Sequence, residues 1–580
     1  MPPFLGALIN SGSMPPFMQS LLEAAHEAAR SAAPHVVSGA IIARNVVAAG
    51  GLLHLLQSLY QDGLRGLTSQ AIGAFFAIPG VQPLVRYIIR QNVGSTIKML
   101  DKTSGEGGTA DSGAQLYSIP EKGLPHEQVL AELADMLKTE TESEEGRLFA
   151  YVYTDNDSER NEALRNAFHM ACENQELRDE SLRKFVALVF NQFAHTNALN
   201  PSAFPSLRRM ETETVAMMAS LMNGDSQVVG SMTSGGTESI LLAIKAYRDR
   251  ARDLSPHIKK PNMVLPITAH PAFEKAAHYF GVETVYVQFT DDFKADTAAM
   301  YSAINSNTIL LVASAVQYCH GVCDPIAEIA AIAQSKGLPL HIDACFGGLM
   351  LPWVEKLGYP VPAFDFRVPG VTSISADLHK YGFALKGSSV LLFRNEQLRH
   401  YQYFAYPGWP GGLFGSPSII GTRPGGNIAT AWATLRVIGC DGYMETARRL
   451  MEVTQAMMAG VEATGHLRVL GKPEMTAFAF SSSDPSMNIF SVADAMERRG
   501  WKMERQSEPP SLHCSVMPNH IDSHQQFIAD IAEAVKDVKE KRVAADGSTA
   551  AVYGMVMAVP SHAVINEFIV GFLSEMYKAR

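Results

Sequence analysis

Cysteine is scarce, with six in 580 residues. So few thiols in so long a chain exclude a disulfide framework and favour a reducing compartment. Cys319 and Cys323 stand close together, but no second pair at zinc-ligand spacing accompanies them, so no metal site is expected. Basic charge is also short: 48 Lys and Arg against 58 Asp and Glu give a formal net charge of −10. That balance gives no reason to expect nucleic acid as a partner. Clean hydrophobic runs of membrane-spanning length are lacking too. A spanning helix needs about 20 predominantly apolar residues. The apolar stretch 36 to 60 is interrupted by Arg44, Asn45, His54 and Gln57, and the stretch 72 to 85 is broken by Pro79. The start carries no basic segment of a cleavable signal.

A chain of this length, 47% hydrophobic and 18% charged, exceeds what one domain usually holds. Residues 1–100 are poor in acidic side chains and form an apolar arm, suited to a partner subunit or to lying on a membrane. Arg86, Arg90 and Lys98 would suit an anionic lipid surface, although a solvated helix face explains them equally simply. Residues 101–125, rich in Gly, Ser, Thr and Asp, predict a flexible connection. A helical segment over 126–205 follows. Between 263 and 393, apolar runs (MVLPIT, TILLVASAV, PLHIDA, VTSISA, SVLLF) alternate with helical patterns. Such runs predict an α/β domain over 206–440 with a mostly parallel sheet buried on both faces. From 441 to 580, helices near 443–463, 488–499 and 522–540 separated by short strands predict a smaller α/β domain.

The chemistry is concentrated in three places. In HIDACFGG, Asp343 ends an apolar strand, and in ISADLHKYGFALKGSS, Lys380 follows another strand beside His379. A lysine able to form a Schiff base and an acid able to keep a pyridine nitrogen protonated are what pyridoxal 5'-phosphate requires. Taken singly, the lysine is an ordinary surface residue and the aspartate an ordinary cap. Upstream, GSMTSGGTESILLAIKAYRD runs from a short strand through Gly235, Gly236 and Thr237 into a helix whose apolar face is Ile240, Ala243, Ile244 and Tyr247. Unpaired N–H groups and the dipole at such a helix start suit an anion, here the cofactor phosphate. Ligands of parallel sheets bind beyond the carboxyl ends of the strands, where Asp343 and Lys380 fall.

With these runs in view, residues 145 to 575 resemble the sphingosine-1-phosphate lyases, a family of group II pyridoxal phosphate decarboxylases of fold type I, the aminotransferase-like fold. SGGTES and HIDAC are widespread among such decarboxylases. FDFRVPGVTSISADLHKYGFALKGSS, together with GSPSIIGTRPGG, is far more particular to the phosphate lyases. The resemblance implies that Lys380 binds the cofactor aldehyde, Asp343 pairs with the ring nitrogen, and His270 stacks on the ring. It implies that Gly235, Gly236, Thr237 and His379 hold the cofactor phosphate, joined by Ser416 of the partner subunit in an obligate homodimer. Tyr153 and Tyr553 would face the substrate phosphate, and Lys386 would join the polar machinery near the reacting carbons. The implied reaction is retro-aldol cleavage of the C2–C3 bond of sphingosine 1-phosphate, or a related phosphorylated long-chain base, to a long-chain aldehyde and phosphoethanolamine. In a eukaryotic cell the implied location is the endoplasmic reticulum membrane, facing the cytosol; otherwise it is the cytoplasm or a membrane surface. Singly, His270 is a packed helix-start residue and Tyr553 an interface aromatic.

Two positions depart from the family pattern. Asn200, in NALNPSAF, replaces a histidine of the phosphate-binding segment, and Phe414 replaces a tyrosine ahead of the partner-facing Ser-Pro. Asparagine donates a hydrogen bond but carries no charge. The competing function is a pyridoxal phosphate-dependent amino-acid decarboxylase, for which Arg423 is the nearest cation to hold a substrate carboxylate. A non-catalytic scaffold on the same fold would have no use for Lys380, Asp343 and the glycine turn together.

Overall fold

The computed structural model describes residues 117–138, 182–540 and 562–578, all within the compact unit Ser112–Arg580. The apolar stretches 36 to 60 and 72 to 85, together with Tyr153 and Tyr553, lie outside the described residues. Among the described residues no helix is long and apolar enough to cross a membrane.

A seven-stranded sheet runs in the order β1-β7-β6-β5-β4-β2-β3. Its strands are β1 Val229–Thr233, β2 Asn262–Pro266, β3 Glu283–Val287, β4 Thr308–Ser314, β5 Leu340–Asp343, β6 Val371–Ala376 and β7 Ser389–Phe393. β3, β2, β4, β5 and β6 are mutually parallel, whereas β7 is antiparallel to both β6 and β1. Side chains alternate across a strand, and here both faces are apolar. Met263, Leu265, Leu310 and Val312 pack on one side with Ile240, Ile244 and Phe273. Val264, Leu311, Ala313 and Ile342 enter the larger core on the other. This two-sided burial explains why β2 and β4 are almost wholly apolar.

The long helix Gly425–Ala463 leaves the sheet domain and breaks at Gly439, whose φ of 65° is left-handed. Beyond it, β10 Leu467–Val469, β11 Ala477–Ser482, β12 Glu504–Ser507 and β13 Pro510–Ser515 form an antiparallel sheet in the order β10-β11-β13-β12. A separate hairpin pairs β8 Phe404–Tyr406 with β9 Phe414–Ser416.

The flexible connection expected over 101–125 does not extend to its last residues. Ile119 is buried, and Pro120 and Glu121 carbonyls accept the N–H groups of Cys440 and Asp441 at 2.8 and 3.1 Å. Gly123 donates to Asp441 Oδ1 and Leu124 to the Arg436 carbonyl. The helix break frees N–H groups that would otherwise be paired within the helix, and the 119–124 strap satisfies them. A Cβ on Gly439 would lie 2.2 Å from the Gly123 nitrogen, and one on Gly123 would lie 2.2 Å from the Val437 carbonyl oxygen. Only glycine fits at either position.

Candidate active site

The carboxyl ends of β1, β2, β4, β5 and β6 open on a cavity of about 790 Å³. Gly235, Gly236, Thr237, His270, Asp343, His379 and Lys380 all line it, so the cavity brings together residues far apart in sequence. Gly235 has φ 151°, a value L side chains rarely adopt, and it turns the chain from β1 into the helix Gly236–Leu254. No side chain caps the helix start. Its leading N–H groups therefore face the cavity. A Cβ on Gly236 would come within 2.8 Å of Cys345 Sγ and 2.9 Å of both Asp377 oxygens, so the cradle tolerates no side chain there.

Glu238 in the first helical turn closes this cradle. Its Oε2 accepts the Ser234 N–H at 2.7 Å and its Oε1 the Ile419 N–H at 2.8 Å. The same carboxylate thus fixes the glycine turn and the segment that follows β9.

Asp343 ends β5, 7% exposed, and its Oδ1 accepts from the Cys345 N–H at 3.1 Å and the Ser375 hydroxyl at 3.3 Å. Behind it a buried polar chain continues through Ser375, His341, Ser373 and Tyr247. Burial pulls the His341 imidazole down to about 4, leaving it neutral at physiological pH. His270 accepts the Ala272 N–H on Nδ1, which assigns its proton to Nε2.

Lys380 Nζ sits 3.0 Å from Asp377 Oδ2 and 5.7 Å from the centre of the Phe346 ring. Burial works to lower its pKa, but the nearby Asp377, Cys345 and Asp343 reverse this, leaving it raised. The next residue ties the lysine loop to the antiparallel sheet: Tyr381 donates to the carbonyls of Thr476, just before β11, and Val516, just after β13. His379 accepts the Ser388 N–H on Nδ1, and burial lowers its pKa.

Of the other expected residues that are described, Lys386, Asn200 and Ser416 are absent from the cavity lining. Lys386 Nζ is held by the His379 carbonyl at 2.7 Å and is absent from the lining. Asn200 turns its Oδ1 to the Ala203 N–H in its own turn. Ser416, on β9, is bonded locally to the Ser418 carbonyl. Asp377, Phe346, Tyr318 and Glu238 line the cavity without having been expected there. The only sequence signal for Asp377 is its place directly after an apolar strand and three residues before Lys380.

The donor set fits pyridoxal 5'-phosphate. An unoccluded helix start suits its phosphate, the Asp343 carboxylate in the cavity wall suits its ring nitrogen, and a lysine amine lies within the same walls. Residues 164–483 match the family model of the pyridoxal-dependent decarboxylase conserved domain. The sphingosine-1-phosphate lyase of Dictyostelium discoideum is 36% identical over 540 residues, 92% of this chain and 95% of that protein. The chain belongs to the sphingosine-1-phosphate lyase family. The rat member is 38% identical over 79% of this chain and 77% of its own length. Among solved structures, the Burkholderia pseudomallei sphingosine-1-phosphate lyase matches with TM-score 0.63 at 37% identity, covering 81% of this chain and 99% of that one. A glutamate decarboxylase of Lactobacillus brevis, at 20% identity and TM-score 0.55, shares the fold alone. Membership of this lyase family makes the fold type I and the cofactor pyridoxal 5'-phosphate, and makes the chain a pyridoxal phosphate-dependent lyase.

Proposed function

We propose that the protein cleaves the C2–C3 bond of sphingosine 1-phosphate or a related phosphorylated long-chain base, releasing a long-chain aldehyde and phosphoethanolamine. The observation that carries this reading is Lys380 and Asp343 facing one cavity with a glycine-lined helix start, in a chain aligned along most of its length with sphingosine-1-phosphate lyases. The competing amino-acid decarboxylase needs a cation for a substrate carboxylate. Arg423 is spent elsewhere: it is paired through both terminal nitrogens with Glu211 and donates to the Met232 carbonyl.

Pyridoxal phosphate supplies a sink for the electron pair left at C2 when the bond breaks. The chain's residues do the rest. The start of the helix Gly236–Leu254 holds the phosphate through backbone N–H groups. Asp343, fixed by Cys345 and Ser375, holds a proton on the ring nitrogen and keeps the sink electron-poor. His270 would flank the ring, and Lys380 would be the amine that holds the cofactor aldehyde. Ile267, Val316, Tyr318 and Phe346 form the apolar part of the wall, which limits water around the reacting carbons.

The active unit is a homodimer with sites completed across the interface. The hairpin β8–β9 supports this, since Phe404, Tyr406, Trp409 and Leu413 are all more than half exposed. An apolar cluster of this kind marks an association surface. In the dimer, Ser416 would reach the partner's cofactor phosphate, Tyr153, Asn200 and Tyr553 would serve the substrate phosphate, and Lys386 would join the polar groups near the reacting carbons. The N-terminal arm supplies contact with a membrane.

Product analysis of the cofactor-loaded protein with sphingosine 1-phosphate, sphingosine and amino acids in parallel tests the function. Aldehyde and phosphoethanolamine from the phosphorylated substrate alone are expected. Carbon dioxide without aldehyde would overturn the lyase reading in favour of a decarboxylase.

A further inference from the structure

Tyr318 enters the cavity wall from the segment that follows β4, yet its ring is held from the other sheet. The residue is 43% exposed and lines the cavity together with Lys380 and Asp343. Tyr247, Tyr381 and Tyr443 all bond their hydroxyls within the fold. The Tyr318 hydroxyl, among the described residues, bonds to none, so it is left for whatever occupies the cavity. Burial, reinforced by the Glu504 carboxylate, raises the phenol above its ordinary pKa. It therefore stays protonated at physiological pH and can donate.

The Tyr318 ring lies face to face with the imidazole of His513, with centroids 4.2 Å apart and planes 26° apart, and Phe346 flanks it at 5.8 Å. His513 belongs to β13, is 4% exposed and does not line the cavity. Its own plane is set from the same strand, where Nε2 meets the Ser515 hydroxyl at 2.7 Å. Burial pulls the imidazole down to about 4, so it meets the phenol ring uncharged. The backbone after Tyr318 is tied to the antiparallel sheet as well. Gln506 Nε2 donates to the Cys319 carbonyl at 2.8 Å, the Glu474 N–H donates to the Gly321 carbonyl at 3.2 Å, and Glu474 Oε2 accepts the Cys323 N–H at 2.8 Å. Those bonds fix the main chain. The side-chain torsions of Tyr318 are left to the rings it touches, and stacking favours one arrangement by about two- to tenfold in population.

We propose that His513 is a positioning residue for the cleavage: its imidazole face holds the Tyr318 ring in the cavity wall, where the phenol presents its O–H to an oxygen of the bound phosphorylated base. The inference rests on the substrate assignment under the proposed function. Tyr318 is then the group that touches substrate, and His513 acts only through it. The antiparallel sheet thus contributes to the site without lining it, through a ring that stands behind another ring.

The test is a double-variant cycle on the cofactor-loaded protein with sphingosine 1-phosphate. His513→Leu removes the flat platform and is expected to lower kcat about two- to tenfold at nearly unchanged KM. His513→Phe restores an aromatic face and should recover most of that loss. Tyr318→Phe keeps the ring but removes the hydroxyl, so it should cost at least as much as His513→Leu, and combining the two should cost nothing further. Additive losses, or a leucine variant with unchanged kcat, would overturn the proposal. The cofactor-free protein gives a second readout. With 3-fluorotyrosine incorporated, the fluorine resonance that vanishes in Tyr318→Phe belongs to Tyr318. It should shift in His513→Leu, which removes the ring current of the imidazole, and an unmoved resonance would refute the stack. Should His513→Leu not fold, Ser515→Ala, which frees the imidazole plane, replaces it in both arms with the same expected direction and the same refutation. Additive losses in a protein that releases aldehyde defeat this inference alone. Wild type that releases no aldehyde from the phosphorylated base defeats the lyase reading, and this proposal falls with it.

Discussion

Replacing Arg423 by methionine separates a structural guanidinium from a substrate-binding one. Its side chain is 8% exposed and that of Glu211 15%, and the pair is joined through both terminal nitrogens of the arginine. Glu211 Oε1 also accepts the Met232 N–H at 2.9 Å, while Arg423 donates to the Met232 carbonyl, so the pair braces β1 just ahead of the glycine turn. Truncating one partner leaves the other charge buried with only the Met232 amide for company. Losses of about 3–5 kcal/mol are usual for such a change. Arg423→Met should therefore lower the unfolding free energy in a denaturant titration by that amount, at unchanged slope. A second substitution at the partner, Glu211→Met, should recover part of the loss, because two apolar side chains can replace a buried pair at little cost while the Met232 N–H and carbonyl stay unpaired. The turnover lost in Arg423→Met should recover with it, and the double variant should retain affinity for substrate. Refutation is equally concrete. A singly substituted protein of wild-type stability with a KM raised selectively for an amino acid would make Arg423 the carboxylate anchor of a decarboxylase.

Acid should destabilise the fold through three buried imidazoles. Burial lowers His320, His341 and His513 to about 4 from 6.5, so the unfolded chain protonates first as pH falls. Stability is therefore complete above pH 6.5 and declines toward pH 4, by about 3 kcal/mol per histidine. His341→Gln should flatten the profile of Tm against pH, and an unaltered slope would exclude His341 as a contributor. Gly236→Ala places a methyl 2.8 Å from Cys345 Sγ and should weaken cofactor affinity about 10–100-fold by equilibrium binding, the equivalent of about 1–3 kcal/mol of overpacking. Lys380→Ala should abolish the near-visible absorbance of covalently bound cofactor, whereas Asp343→Ala should retain some cofactor with almost no turnover. Lys245 donates to the carbonyls of Tyr401, Gln402 and Tyr403 at the root of the β8–β9 hairpin. Lys245→Met should shift a dimer toward monomer in sedimentation, and an unchanged dimer would show the hairpin to be dispensable for association.

Much of this architecture is legible because buried parallel strands are nearly continuous apolar runs. VTSISA and SVLLF coincide with β6 and β7. TILLVASAV overshoots β4 by two residues, because the chain leaves the sheet at Ala315 while still buried. Strand direction is not written in such runs, since burial on both faces looks the same whichever way the chain travels, so the antiparallel setting of β7 is invisible. Lys380 and Asp343 are legible because each closes a strand beside polar or small residues. Asp377 is hidden by its dependence on Gly236, which approaches it only in the folded chain. The role of Arg423 is hidden similarly, its partner Glu211 lying 212 positions away.

The strap of residues 119–124 fastens where the long helix breaks at Gly439. Strap and break stand or fall together: a strap that peeled away would strip the Cys440 and Asp441 N–H groups of their acceptors, so the kink is kept by a segment more than 300 positions earlier in the chain.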